Sequence, residues 1–517
     1  MSINQTKYPV VDVFAGPGGL GEGFSSALCG RSDPYFQIVL SLERDEFAHK
    51  TLFLRHFLRN FPYNEFPEEY YDYLKKDITL DELYHCYPDE FHKAVSSAPR
   101  LSIESKNHER VSQLIKQRLK GQKKWVLVGG PPCQAYSLAG RSRMMNKPGF
   151  ENDPRHFLYR EYLEIISSHR PPVFVMENVK GLLSAKVDDE PIIQRIVTDL
   201  SSPKSVNGMD TNGLSYQLYS LSERIASNDE IDPRMFLVKA EEYGIPQARH
   251  RMFIVGVRND LHVRPSLLRR QAPPMVAEIV GDLPRIRSGL SRGNDNYQNW
   301  RNEISKFSGL DLAKQLNGHP YAKDVAEGFH IRLNDTKYPE ERNSMKYPGK
   351  LRINHSVADV LFDPCLNILT DHESRGHMAS DLRRYMYASV FAQATGKCPR
   401  LTDFPAPLLP THQNVSSEKS NLPFSDRFRV QLRDQVASTI TSHISKDGHY
   451  YIHYDPAQCR SLTVREAARL QTFPDNYGFE GSRTSKYHQV GNAVPPYLAR
   501  QIAEIIADTL DTMGNPD

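Results

Sequence analysis

The chain has 517 residues, of which 39% are hydrophobic and 25% charged, a balance that excludes an intrinsically disordered or collagen-like protein. No run approaches the roughly 18 apolar residues of a membrane span, and the first residues lack a secretory signal, so we expect a soluble, cytoplasmic protein. The net charge is only +3, but residues 261–460 hold 27 Lys and Arg against 21 Asp and Glu, which suits either a polyanionic partner or a solvated charged face.

Strand and helix patterns alternate along the first half of the chain. A helical pattern covers residues 158–166. Such alternation predicts an α/β fold with a doubly wound, Rossmann-like sheet, in which ligands bind beyond the carboxyl ends of the strands. Apolar runs predict strands over residues 10–14, 39–42, 125–128, 173–176 and 253–257, and the ends of the first four are marked by Gly16, Glu43, Cys133 and Glu177.

The regular alternation of strand and helix patterns ends at about residue 266. Prolines, asparagines and glycines interrupt the apolar runs, and residues 381–393 form the main helical pattern, which indicates a separate irregular domain. A regular apolar stripe returns after Pro495 and predicts a helix that packs on the first domain. The sequence therefore predicts three segments: residues 1–265, residues 266–485, and residues 486–517 returning to the first domain.

The cysteines and histidines do not predict a metal site. The six cysteines are scattered without a CxxC pair, which argues against a disulfide framework and a zinc ribbon. His372 and His377 suggest a pair of metal ligands, but no second pair matches them. We interpret both as solvated loop histidines and expect no metal.

A glycine-rich turn follows the first predicted strand, in residues 12–20 with the sequence DVFAGPGGL. Glycines let a ligand approach the backbone at a helix N-terminus, and Glu43 at the end of the next strand is placed to accept ribose hydroxyls. The dinucleotide spacing GxGxxG is absent. The turn therefore favours a nucleoside without a pyrophosphate over NAD, although a purely structural turn fits equally well.

Three further strand ends carry reactive or charged side chains. Residues 129–137 read GGPPCQAYS, where two prolines stiffen a turn that would present the Cys133 thiol as a nucleophile; the alternative is a buried structural thiol. Glu177 could stabilise an electron-poor ring or serve as a helix cap partner or surface charge. Arg249 and Arg251 could face a carboxylate and a substrate, or form surface salt bridges.

In this order the motifs resemble those of the cytosine-5 DNA methyltransferase family. They are DVFAGPGGL, PPCQAYS, ENVKG, QARHR, RSLTVREAARLQTFPDNY and QVGNAVPP, and they span most of residues 8–262 and 460–506. Members of that family carry a variable target-recognition domain between QARHR and QVGNAVPP. The resemblance implies a prokaryotic type of enzyme, acting as a monomer on double-stranded DNA within or outside a restriction–modification system.

The resemblance also implies roles for individual residues. Cys133 would attack C6 of a flipped-out cytosine, Glu177 would hold N3, and Arg249 and Arg251 would support the base and the carboxylate. S-adenosylmethionine would be held by Phe14, Gly16, Gly18, Glu43, Asp77, Pro131, Asn492 and Val494. DNA would be contacted by Gln134, Ser137, Arg141, Arg427, Arg429, Arg433 and Thr439. Residues 79–124 form a longer insertion than in compact members, and the sequence assigns it no function.

Other functions compete with this one. A tRNA cytosine-5 methyltransferase would share the fold, although the long middle segment favours duplex DNA. A non-catalytic nucleic-acid-binding relative would not need Cys133 and Glu177. A nucleotide-dependent oxidoreductase is disfavoured by the glycine spacing.

Overall fold

The computed structural model divides the chain into two compact units, which we treat separately. Unit 1 comprises Met1–Ala272, Tyr477–Gly481 and Ala493–Asp517, and unit 2 comprises Pro273–Asn476 and Ser482–Asn492. The structure describes residues 7–28, 30, 33–132, 157–187, 190–203, 213–225, 231–306, 312–316, 318–334, 337–410 and 426–514.

Unit 1 is built on a seven-stranded mixed sheet in the order β2-β1-β3-β4-β10-β7, with β8 paired to β10. The pairs among β1 to β4 are parallel, and β10 is antiparallel to its three neighbours. The strands of unit 1 are β1 Tyr8–Val13, β2 Phe36–Leu42, β3 Val126–Gly129, β4 Val173–Val179, β5 Lys186–Val187, β6 Glu190–Pro191, β7 Tyr216–Tyr219, β8 Leu237–Lys239, β9 Gln247–Ala248 and β10 His250–Arg258.

The position of β1 confirms the predicted Rossmann-like α/β architecture. β1 lies between β2 and β3, so that successive strands are added on opposite sides of it. Such a reversal creates a crevice at the carboxyl ends of the two central strands, where ligands bind in open α/β sheets. The strand itself is buried, with Val10, Val11 and Val13 fully inaccessible, as expected when both faces of a parallel sheet are covered.

Helices cover the sheet of unit 1 and form the insertion. They are α1 Gly19–Ser25, α2 Glu46–Leu58, α3 Glu68–Lys75, α4 Leu80–Cys86, α5 Pro88–Ser97, α6 His108–Leu119, α7 Phe157–His169 and α8 Ile192–Ser201, with short 3-10 helices at Ser105–Asn107, Lys180–Ser184, Pro233–Phe236, Ala240–Glu242 and Asn259–Leu261. Among the described residues, no helix of the chain is long and apolar enough to cross a membrane.

The predicted C-terminal helix, Pro496–Thr512, packs on α1 in unit 1. The two approach so closely that a Cβ on Gly19 would lie 2.4 Å from the Val494 carbonyl oxygen, and one on Gly23 would lie 2.3 Å from the Ala499 Cβ. Glycine is therefore required on this face of α1. The segment Ala493–Asp517, which contains this helix, belongs to unit 1, whereas Ser482–Asn492 belongs to unit 2.

Unit 2 contains more helix than the sequence suggested. Besides the expected helix, which spans Ala379–Thr395, the segments Tyr297–Ser305 and Ala322–Leu333 are helical. Their apolar residues recur every four positions, but polar residues and a glycine between them obscured the pattern. The other elements are helices Val276–Val280, Leu312–Gln315, Val357–Leu361, Val464–Leu470 and Arg483–Asn492, 3-10 helices Leu401–Asp403, Ala406–Leu408 and Ser442–Ser445, and strands Gly289–Leu290, Gly376–His377 and Ala437–Ser438.

The interpretation of His372 and His377 as solvated loop histidines is wrong. Their exposed fractions are only 2% and 6%. His372 hydrogen-bonds through Nε2 to the Pro284 carbonyl at 2.8 Å, and Nε2 of His377 lies 3.3 Å from the Ser461 hydroxyl. Burial lowers the pKa of His372 to about 4 and that of His377 well below its usual range. Both are neutral core residues, and no group of His, Cys, Asp or Glu among the described residues is arranged to hold a metal ion.

The motif that begins at Arg460 forms a buried ionic network in unit 2. Thr463 caps the helix Val464–Leu470 by accepting the Glu466 N–H at 3.1 Å, while the Glu466 carboxylate accepts the Thr463 N–H at 2.7 Å. The same carboxylate takes two hydrogen bonds from the Arg460 guanidinium, at 2.7 and 2.6 Å. Arg469 makes an equivalent two-bond pair with Asp475, at 2.8 and 2.7 Å. The charged residues of this motif therefore hold unit 2 together.

Candidate active site

The glycine-rich turn leaves β1 in a left-handed backbone conformation. Phe14 and Gly16 both have a φ of +57°, and Gly18 has a φ of +97°. A Cβ on Gly18 would also lie 3.0 Å from the Leu52 Cδ1 and 3.1 Å from the Tyr477 hydroxyl. This hydroxyl donates a 2.5 Å hydrogen bond to the Pro17 carbonyl. The turn is thus fixed from one side and presents bare backbone, the surface that a nucleoside ligand needs.

Glu43 stands directly after β2 and anchors the glycine-rich turn. One carboxylate oxygen accepts the Gly16 N–H at 2.8 Å, and the other accepts the N–H groups of Arg44 and Asp45 at 2.8 and 2.7 Å. A carboxylate has about four acceptor positions, so capacity remains for a hydroxyl of a ligand. The structure brings Glu43 to the turn as expected, and its contact with a ribose stays a prediction.

Asp12, near the end of β1, is a candidate site residue to which the sequence assigned no role. Its side chain is completely buried, and no other described side chain hydrogen-bonds to its carboxylate. Burial raises its pKa to about 7; the charge of Arg59 and a backbone hydrogen bond from Gly21 oppose the shift, and the charge of Glu43 adds to it. A buried carboxyl group with a strongly raised pKa beside a glycine-rich turn is a candidate site residue. An aspartate within an apolar strand was the available sequence signal.

The Pro-Pro turn is held against the end of β4. The Asn178 side chain donates a hydrogen bond to the Pro131 carbonyl at 3.2 Å. A Cβ on Gly130 would lie 2.8 Å from a Glu177 carboxylate oxygen. The structure therefore places Glu177 beside the turn that leads into Cys133. Cys133 itself, and the DNA-contact candidates Gln134, Ser137 and Arg141, lie outside the described residues.

Glu177 forms an ion pair with one of the two predicted arginines. Strand β10 runs antiparallel to β4 and brings Arg251 Nε to 3.2 Å from Glu177 Oε1. The pKa of Glu177 is raised by its removal from water, and the charges of Arg251 and Arg249 oppose that shift. Arg249 is buried, with an exposed fraction of 1%. Unit 1 thus brings Glu177 together with Arg251 in a partly exposed ion pair, beside the buried Arg249, whose charge also acts on the Glu177 carboxyl group.

The remaining cofactor candidates are spread over both units. Val494 lies in unit 1, with its carbonyl against Gly19 of α1. Asp77 is exposed directly after α3, and its N–H donates to the Asp72 carbonyl at 3.0 Å. Asn492 ends the helix Arg483–Asn492 of unit 2 and is exposed. The roles of these three residues stay predictions.

The described DNA-contact candidates lie in unit 2. Arg429 pairs with Asp426 at 2.5 Å, and exposed Arg433 lies 3.7 Å from the Asp434 carboxylate. Arg427 is partly exposed and forms no ion pair with another described residue. The Thr439 carbonyl accepts a 3.4 Å hydrogen bond from the Tyr451 hydroxyl. The roles of these four residues in DNA recognition stay predictions.

Comparison with known proteins gives consistent similarities. The family model for C-5 cytosine-specific DNA methylases matches residues 100–508. Type II methyltransferase M.Bpa9945I of Bacillus paralicheniformis is 29% identical, with 97% of this chain and 99% of that protein covered. DNA (cytosine-5-)-methyltransferase M.ApeKI of Aeropyrum pernix is 26% identical, with 75% and 82% covered. Among solved structures, a putative DNA modification methyltransferase encoded within an Escherichia coli prophage aligns over 98% of this chain and 100% of its own, with 18% identity and a TM-score of 0.49.

Proposed function

Because the chain belongs to the C-5 cytosine-specific DNA methylase family, we propose that it transfers a methyl group from S-adenosylmethionine to C5 of a cytosine flipped out of a specific duplex DNA sequence. The observation that carries this proposal is the position of Glu177. Its carboxylate is paired with Arg251 and lies against Gly130, three residues before Cys133. Cytosine methylation requires a nucleophilic thiol and a carboxyl group acting on one base, and Glu177 lies against the backbone of the turn that precedes Cys133 in the sequence.

The residues around the glycine-rich turn fit S-adenosylmethionine. The left-handed turn would present its backbone to the cofactor, and Glu43 keeps acceptor capacity for the ribose hydroxyls. When bound, S-adenosylmethionine supplies an electrophilic methyl group. The chain's own contribution there is to bind and orient it at the crevice beside β1.

Cys133 and Glu177 would activate the cytosine. C5 of cytosine is a poor nucleophile, and addition of the Cys133 thiolate to C6 moves an electron pair towards C5. A proton on N3, donated by the Glu177 carboxyl, neutralises the developing charge, and the raised pKa of Glu177 favours the protonated form that can donate it. After C5 has gained the methyl group, a base removes the C5 proton. The C6–S bond then breaks, the thiolate leaves, and N3 returns its proton to Glu177.

Arg251 would set the position of Glu177 rather than react. The guanidinium donates a 2.9 Å hydrogen bond to the His250 carbonyl and pairs with the carboxylate through Nε, which fixes the direction of the carboxyl group. C5 and C6 of the cytosine are inaccessible in a stacked duplex. The base must therefore be flipped out of the DNA helix to reach Cys133 and Glu177.

We assign DNA sequence recognition to the segment 266–485, which includes most of unit 2. Its support is the basic excess of residues 261–460 and Arg427, which has no ion pair within the part of the chain that the structure describes. The names of the curated relatives place them in type II systems, and we propose a role in restriction–modification in a prokaryotic cytoplasm, with a monomer acting on DNA. Exchange of this segment with that of a relative of different specificity is expected to change the methylated sequence; an active chimera with the original specificity would contradict the assignment.

Covalent trapping tests the proposed reaction. Duplex DNA in which cytosine is replaced by 5-fluorocytosine should form a denaturation-resistant adduct with the wild-type protein in the presence of S-adenosylmethionine, because fluorine at C5 cannot leave as a proton. Cys133→Ala should form no adduct, whereas Cys365→Ala, which removes an exposed thiol of unit 2, should behave as wild type. Trapping by Cys133→Ala, or trapping of 5-fluorocytosine tRNA but not duplex DNA, would overturn the proposal.

A further inference from the structure

The middle of the insertion, residues 79–124, which the sequence could not explain, runs beside Glu43. After α5, the backbone of residues 98–101 runs next to the end of β2, where Arg100 and Glu43 pair as a parallel bridge. The Leu101 N–H donates to the Glu43 carbonyl at 3.1 Å, and the Arg100 side chain donates through Nε to the Arg44 carbonyl at 3.1 Å. The insertion therefore extends the sheet by one bridge at the residue predicted to bind the ribose.

Two histidines of α2 fasten the same part of the insertion. His56 is buried, and its ring nitrogens lie 2.8 Å from the Ser41 hydroxyl of β2 and 2.9 Å from the Ser97 hydroxyl of α5. Burial holds the pKa of His56 well below its usual range, so its ring is neutral and can donate to one serine while accepting from the other. His49 reaches the Ala98 carbonyl through Nε2 at 2.8 Å.

These contacts constrain Glu43 from the side opposite the glycine-rich turn. The carboxylate is held by the Gly16, Arg44 and Asp45 N–H groups, and the backbone of Glu43 is held by Leu101. We propose that residues 97–101 of the insertion, with His49 and His56, are positioning residues that fix the Glu43 carboxylate for the ribose of the cofactor. This proposal rests on the proposed function, since it takes S-adenosylmethionine as the ligand.

The direction of the polar contacts distinguishes positioning from simple support of the fold. The insertion also packs aromatic side chains on α2, such as Phe91 against Phe53 at 5.5 Å, and that packing would suffice for stability. The hydrogen bonds to Ser41, Glu43 and Arg44 instead involve three of the four residues 41–44 at the carboxyl end of β2. A contact that only stabilises the fold has no reason to concentrate there.

Selectivity for the ribose tests the proposal. The affinities of S-adenosylhomocysteine and its 2′-deoxy analogue would be measured by calorimetry on the full chain. A hydrogen bond to a charged carboxylate leads us to expect about a ten- to hundredfold preference of the wild type for the ribose form. Ser97→Ala and His49→Ala should each reduce that preference about three- to tenfold, and Ser97→Thr, which keeps the hydroxyl, should restore it.

Thr79→Ala is the matched control. It removes the hydroxyl that caps α4 by accepting the Glu82 N–H. It should therefore lower the melting temperature of the protein without changing any contact of Glu43. An unchanged preference in Ser97→Ala and His49→Ala, or an equal loss in Thr79→Ala, would overturn the positioning role. Glu43→Gln distinguishes failure of the positioning role from failure of the cofactor assignment. If Glu43→Gln retains the full ribose preference, or if the wild type binds neither ligand, the assignment of S-adenosylmethionine fails as well.

Discussion

In unit 1, the Asp12 carboxylate is buried without a hydrogen bond from another described side chain, whereas in unit 2 the equally buried Glu466 carboxylate is hydrogen-bonded by Arg460 and by the Thr463 N–H. The pKa of Asp12 is raised to about 7, while the Arg460 guanidinium holds the pKa of Glu466 far below its usual range despite burial. Burial alone does not decide the charge of a carboxyl group. The comparison teaches that a buried acid hydrogen-bonded by a guanidinium keeps its charge and maintains the fold, whereas burial without such a partner favours the protonated form.

The largest expected effect is on stability and lies in unit 2. Glu466→Gln leaves Arg460 buried without its counter-ion, and breaking one side of such a pair costs about 3–5 kcal/mol of unfolding free energy. Urea denaturation would measure it. Glu303→Gln, which removes the partner of exposed Lys306 in the same unit, is the control and should have little effect. A loss for Glu466→Gln no larger than that of the control would break the comparison.

In unit 1 the corresponding change should affect the reaction instead. Glu177→Gln keeps the shape of the side chain but cannot donate a proton to N3, so the single-turnover rate of DNA methylation should fall about a hundredfold or more. Cofactor affinity should be unaffected. Glu241→Gln is the control: it changes the carboxylate that contacts the ring of His250, the residue next to Arg251, and it should leave the methylation rate unchanged. If Glu177→Gln reacts at the wild-type rate, Glu177 has no part in the mechanism.

Asp12→Asn sharpens the comparison through pH. A carboxyl group with a folded pKa of about 7 and an ordinary value of 3.8 contributes stability below pH 3.8 and loses it progressively as pH rises through 7. The advantage of Asp12→Asn over wild type should therefore grow by about 2–3 kcal/mol between pH 5 and pH 8. Thermal and urea unfolding at both pH values would test this, and a stability difference that does not change with pH would contradict it.

The smallest expected effect concerns DNA affinity. Arg427→Ala removes a cation without an ion pair among the described residues, whereas Arg429→Ala removes one already paired with Asp426. We expect Arg427→Ala to weaken duplex binding about tenfold and Arg429→Ala to have a smaller effect, measured by titration at several salt concentrations. A uniform loss across sequences would indicate a phosphate contact, and a changed methylation site would indicate base reading. If Arg427→Ala and Arg429→Ala weaken DNA binding equally, the ion pair with Asp426 does not determine which arginine contacts DNA.

The sequence predicts those features that are determined by residues adjacent along the chain, such as the strands of unit 1. The strands ending at Val13 and Gly129 lie inside the sheet and the strand ending at Leu42 lies at its edge; all three are mostly apolar, and the apolar runs predict them. The sequence places Glu177 at a strand end, and the structure brings its carboxylate to 3.2 Å from Arg251 Nε. The sequence did not show the burial of His372 and His377, because their partners Thr463 and Ser461 lie more than eighty residues away. The raised pKa of Asp12 could not be read from the sequence either, because it arises from burial by residues distant along the chain.

The packing of α1 against the helix Pro496–Thr512 determines when the glycine-rich turn can be completed during synthesis. About 470 residues separate Ser25 from Pro496, and at roughly 5–20 residues per second a ribosome needs roughly 25–95 s to cover them. Until then, the glycine-lined face of α1 has no helix to cover it, although all of unit 2 has already been synthesised. The first helix of unit 1 therefore stays uncovered while unit 2 is made, which exposes it to non-native contacts during synthesis.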